Sequence, residues 1–289
     1  MKLLLLLLCV APLVPVLAQE AVLQVPPGTD EVELDVYGNI VLLDRDAAMV
    51  TVRFSATAEM RTVGGRGWGD TEFDRPAGIW VENGIDLYVA DYGNHRVQRF
   101  DRNLNYVSTL FTRDDPDPMK RFGYPSGVAL SRLGELFILD GENVRVLKVN
   151  RANVVERTFG GIDAGRGRLR APSDIVVGPG DRVYVVDRGR VVVFDTFGNY
   201  VRELMPLDEG GEARIAVDER GVVVLQGGTV SCFDREDRMV RAAESGGMLP
   251  SRAAAVDVAL HAGRLYVLTE GALWAVADPR APTSERPGE

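Results

Sequence analysis

Four short apolar runs each end in an aspartate at nearly equal intervals: Asp44, Asp91, Asp140 and Asp187 stand 47, 49 and 47 residues apart. The runs, such as DLYVAD, ELFILD and RVYVVD, are rich in β-branched and aromatic residues and bounded by Gly, Asp, Asn and Pro, which marks strands separated by turns. A fixed period this long belongs to arrays and propellers, because each unit has a hydrophobic face that only a neighbouring unit can cover. A second register agrees with the first. TVGGRGWGDTEFDRPAGI (62–79) matches TFGGIDAGRGRLRAPSDI (158–175) at an offset of 96 residues, and YPSGV (124–128) takes the place of RPAGI and APSDI in the unit between them.

Within a unit the order is a Pro-led strand, a strand ending in Asp, a strand such as RVQRFD, and a fourth such as YVSTLF. That is a four-stranded antiparallel blade. Six units follow, near 31–65, 73–111, 122–161, 169–205, 212–245 and 253–277, with Gln226 and Thr269 replacing the Asp in the last two. Unit six stops one strand short, while AVLQV (21–25) is a strand with no unit of its own. The count therefore predicts an all-β, six-bladed β-propeller closed by that N-terminal strand pairing into the last blade, which removes the open edges of a linear array. One domain is expected over 19–278, with a disordered Pro-rich tail over 279–289.

The residues LYVADYGNHRVQRFD (87–101), preceded by RPAGIWV, resemble the NHL-repeat family of six-bladed propellers. FILDGENVRVLKV and YVVDRGRVVVF are similar in part. The resemblance implies the fold and leaves function open, since such propellers support both binding and catalysis. Relatives that are peptide-amidating lyases use several zinc-binding histidines, whereas this chain has only His95 and His261; a lactonase-type Glu and Asn metal cluster has no counterpart that can be placed. No catalytic residue, metal site or cofactor is expected.

The start of the chain, MKLLLLLLCVAPLVPVLAQE, reads as a signal peptide over 1–18, with Val16 and Ala18 ahead of the cut. The expected location is periplasmic or extracellular, with no transmembrane span in the mature chain and a lipidated Cys9 as the alternative. A formal net charge of −9 argues against nucleic-acid binding, which needs a basic footprint. After cleavage Cys232 is the one cysteine left, which excludes an intramolecular disulfide.

In such a blade the turn between strands two and three lies at the same end as the connection to the next blade, so both sets of loops crowd one face. The turns contribute Asp91, Tyr92, Asn94, His95 and Arg96, then Arg145, then Arg188 and Arg190; the connections contribute Arg66 and Trp68, then Arg166 and Arg168. These are the candidate ligand-binding residues, and the partner expected is a protein, peptide or glycan. Asp91, Asp140 and Asp187 are read as turn-fixing carboxylates. The Arg series 166, 168, 170, 188 and 190 stands out against the acidic background; it reads first as solvated loop charge paired with nearby Asp, and in the sharper alternative as an anion site for a peptide carboxylate or an acidic glycan. The rival reading is a metal-dependent lyase or hydrolase with its site in the channel.

Overall fold

The structure is a computed structural model that describes residues 20–81, 83–204, 212–249 and 253–281. The described residues form six four-stranded antiparallel sheets arranged as blades around a central channel. The six innermost strands are Thr29–Leu34, Pro76–Trp80, Pro125–Leu130, Pro172–Gly178, Ala213–Asp218 and Ala255–His261. Each touches the innermost strand of the blades on both sides, so they form a closed ring.

Burial explains the composition of each blade position. The second strand of blade three, Leu136–Asp140, is buried at every residue because blades stack on both of its faces, and an unbroken apolar run is what such a strand requires. The outermost strand of blade five, Met239–Glu244, faces solvent and reads MVRAAE. Aromatic rings fill the wedges between blades, as where Phe159 packs on Phe137 and on Phe194 of the next blade.

Ring closure follows the expected route. Glu20–Gln24 pairs antiparallel with Ala272–Ala277 as the fourth strand of blade six, with Leu23 opposite Leu273 and a bulge between Ala21 and Leu23. The packed chain ends later than the tail reading placed it. Arg280 is buried on Asp278 and Asp218, and Arg241 donates to the Pro279 carbonyl, so 279–281 belong to the fold. The polar composition that suggested disorder here serves an ion-pair network instead. The proposed leader, Gln19, Cys9 and residues 282–289 lie outside the described residues. Among those described, no helix is long and apolar enough to cross a membrane.

Candidate functional site

The connections on the loop face are held by one repeated device. In blade two, Asp91 Oδ1 accepts from the Asp74 N–H at 2.8 Å, and Oδ2 accepts from Asn94 Nδ2 at 2.8 Å and Arg96 Nε at 2.7 Å. The Arg96 fork then donates to the carbonyls of Trp68, Gly69 and Glu72 at 2.8–2.9 Å. One buried carboxylate thus orients one buried guanidinium, which gathers the three carbonyls of a connection whose backbone groups would otherwise lack partners. Burial pushes the Asp91 carboxyl up, while the bonds from Arg96, Asn94 and the Asp74 N–H pull it back. Gly93 is obligatory beside this clamp, since a Cβ there would stand 2.7 Å from the Asp74 carbonyl oxygen.

Blade three repeats the arrangement. Asp140 accepts from Asn143 at 2.8 Å and Arg145 Nε at 3.1 Å, and Arg145 donates to the Arg121 carbonyl at 2.8 Å. Blade four uses a shorter turn: Asp187 accepts from the N–H groups of Arg170 and Ala171 and pairs with Arg190, which donates to the Arg168 carbonyl. Asp91, Asn94, Arg96 and Arg145 are therefore buried, and Arg190 is also bonded to Glu203. Among the candidate binding residues these five bond to the scaffold through their side chains.

What the clamps present is different. Trp68 is 59% exposed, yet Arg96 holds its carbonyl, the Arg96 guanidinium lies 5.2 Å from its ring centroid, and Phe111 meets it edge-on at 6.5 Å. Met119, 57% exposed, holds the corresponding place over Arg145, its sulfur 3.9 Å from that guanidinium. Ile162, 73% exposed, follows on the next connection. Arg66 is exposed and bonded to the Asp46 carbonyl; Arg166 lies over the Tyr200 ring at 5.2 Å; Arg168 and Arg188 are exposed.

Tyr92 and His95 sit together at the junction with blade three. The Tyr92 and Tyr124 rings are 5.1 Å apart, and His95 lies 4.1 Å from Tyr124. His95 Nδ1 receives both Arg113 at 2.7 Å and the Tyr124 N–H at 3.2 Å, so that nitrogen carries a lone pair and the ring is neutral. Burial and the Arg113 charge lower its pKa accordingly. Its positive φ of 54° matches the 52° of Val144 at the same place in blade three, so the conformation belongs to the repeat.

The channel contains a group of charges not singled out in the sequence. Glu31, Gly78, Gly127, Asp174, Arg214 and Asp257 take equivalent places on the six innermost strands, each paired with the residue before the aspartate position of its blade. Glu31 accepts from the Ile79 N–H at 2.8 Å, Asp174 from Ile215 at 3.2 Å and Asp257 from Val32 at 2.8 Å, so each carboxylate laces its blade to the next. Burial raises all three pKa values, that of Asp257 to about 8. Arg45, bonded to Glu31 at 2.8 Å, and Arg214 line a cavity of about 370 Å³ at the loop-face mouth, together with Asp30 and Glu212. Among the described residues, no three His, Cys, Asp or Glu side chains are grouped to hold a metal ion.

The NHL repeat family matches residues 73–100, the blade-two segment that carries the first clamp. The probable peptidyl-alpha-hydroxyglycine alpha-amidating lyase pgal-1 of Caenorhabditis elegans is 33% identical over 79 residues, covering 26% of this chain and 23% of that protein. NHL repeat-containing protein 3 of Homo sapiens is 25% identical over 146 residues, covering 45% of this chain and 42% of its own length. The match thus spans less than half the length of either relative. A gluconolactonase structure from Xanthomonas campestris superposes with a TM-score of 0.65 at 13% identity, over 90% of this chain and 89% of that one, which is a likeness of fold alone.

Proposed function

We propose that this six-bladed propeller, whose blade two matches the NHL repeat, is a module that docks a protein or peptide partner outside the cytoplasm through the loop face of blades two to four. The observation that carries this reading is Trp68, a large apolar ring exposed to solvent in a connection whose backbone is pinned. Exposed Trp, Met and Ile side chains on successive connections suit the anchors of a protein interface, where aromatic and Arg residues carry most of the energy. A face ordered in advance loses little conformational entropy on binding. The leader-like residues 1–18 support an extracytoplasmic location.

The lyase or hydrolase reading has less behind it. Glu31, Asp174 and Asp257 are each occupied with a neighbouring blade's N–H, and His95 Nδ1 already has two donors.

Capture from the native envelope and culture fluid tests the proposal, with the mature chain as bait beside Trp68→Ala, Met119→Ser and, on the opposite face, Phe197→Ser. The partner should be lost with the first two variants and kept with the third. Equal capture by all of them would contradict it.

A further inference from the structure

We infer that the blade-four sector of this face, Arg168, Arg170 and Arg188 with Arg166 beside them, receives the carboxylates of an acidic, partly apolar polypeptide segment; this rests on the loop-face reading and specifies its partner. The clamp itself brings these residues together. Asp187 Oδ1 accepts from the Arg170 N–H at 2.8 Å and from Ala171 at 2.7 Å, while Arg190 donates to the Arg168 carbonyl, so the stretch 168–170 is tied to the turn that carries Arg188. Arg168 is extended, and Leu169 between the two arginines is buried, which turns Arg168 and Arg170 to the same, outward side.

None of Arg168, Arg170 and Arg188 has a side-chain partner among the described residues, and all three are exposed. Three exposed arginines elsewhere on the surface differ. Arg61 pairs with Glu59, Arg235 with Glu219 and Arg238 with Asp234. The chain has 42 acidic residues, yet Asp163 is the only one in 161–171, and Asp187 on the facing turn is buried and engaged. Unpaired guanidinium forks on an otherwise negative protein are suited to bidentate contact with carboxylates brought by a partner.

The surroundings favour a polypeptide. Ile162 is exposed in the same connection as these arginines, and Arg145, which lies under Met119, stands against Gly161. Apolar contacts beside forks fit a segment that mixes Leu-like and Glu-like side chains. A polysaccharide or nucleic acid would gain more from an open aromatic face, and Arg166 covers that of Tyr200.

The test measures binding of a short fluorescent peptide alternating Glu and Leu to the full mature chain, beside its Gln/Leu counterpart and with heparin as competitor. The Glu/Leu peptide should bind and the Gln/Leu peptide should not. Arg168→Ser, Arg170→Ser and Arg188→Ser combined should weaken binding by about tenfold or more without moving the melting temperature, and added salt should weaken it too. Equal binding of the Gln/Leu peptide, an unaffected triple variant, or tighter binding of heparin would overturn the inference. If Trp68→Ala abolishes partner capture while the triple variant captures normally, the loop-face reading stands and this one fails.

Discussion

Asp257 on the innermost strand of blade six accepts a 2.8 Å hydrogen bond from the backbone N–H of Val32 on the innermost strand of blade one, joining the two ends of the ring at its axis. The bond spans 225 positions in sequence and lies beside the seam that Glu20–Gln24 closes from outside.

The seam makes stability depend on pH. Burial first, and then the neighbouring Glu31 and Asp174 charges against that of Arg214, push the Asp257 carboxyl up to about 8, whereas an unfolded Asp titrates near 3.9. Between those values the native chain keeps a proton that the unfolded chain has released. The contribution is complete below the unfolded pKa and lost as pH rises through the folded one. Glu31 and Asp174 act in the same direction. Melting temperature should fall from pH 5 to 9, and Asp257→Asn, whose amide oxygen can still accept from Val32, should flatten that slope. An unchanged slope would contradict the assignment.

The blade-two clamp is a buried pair feeding three carbonyls, so Arg96→Ala should cost about 3–5 kcal/mol by leaving the Asp91 carboxylate and those carbonyls uncompensated. Arg96→Lys should recover little of it, because an ammonium cannot reproduce the planar fork. Denaturant titrations followed by tryptophan fluorescence measure both.

Cys232 is fully buried between blades, and burial pushes its thiol up to about 11. A thiol reagent at pH 8 should leave the native protein unmodified and react fully once denaturant is added. Rapid labelling without denaturant would mean that blade five opens locally.

Deleting residues 19–27 removes the closing strand and exposes the edge of Ala272–Ala277, so the shortened chain should melt lower and scatter light on heating. Deleting 282–289 should change neither. Ending the chain at Asp278 should destabilise it, because Asp278 and Asp218 lose Arg280. Identical melts for all three truncations would refute the closure.

The architecture was legible because its determinants repeat. Terminal aspartates set the period, and the strand missing from unit six matched the surplus strand at 21–25. The spacing of Asp91, Asn94 and Arg96 recurs at Asp140, Asn143 and Arg145, but the carbonyls that the arginines gather belong to connections more than 20 residues earlier, which no local pattern displays. Candidate binding residues and clamp residues therefore looked alike, and only burial separates Arg96 from Arg168. The channel charges were hidden for another reason. Their position is glycine in blades two and three, and in five of the six blades a bulge next to it breaks the inside-outside alternation that would have marked Glu31, Asp174 and Asp257 as facing inward.

Docking through the loop face of blades two to four, as proposed above, should leave crosslinks on that face and none on the opposite one. Benzoylphenylalanine placed singly at Met119 and Ile162 on that face, and at Tyr37 and Phe197 on the other, tests it by photo-crosslinking in the native host. A discrete partner adduct is expected from the first two positions, abolished by Trp68→Ala, and none from the second two. Adducts from Tyr37 or Phe197 alone, or adducts at Met119 that survive Trp68→Ala, would contradict it.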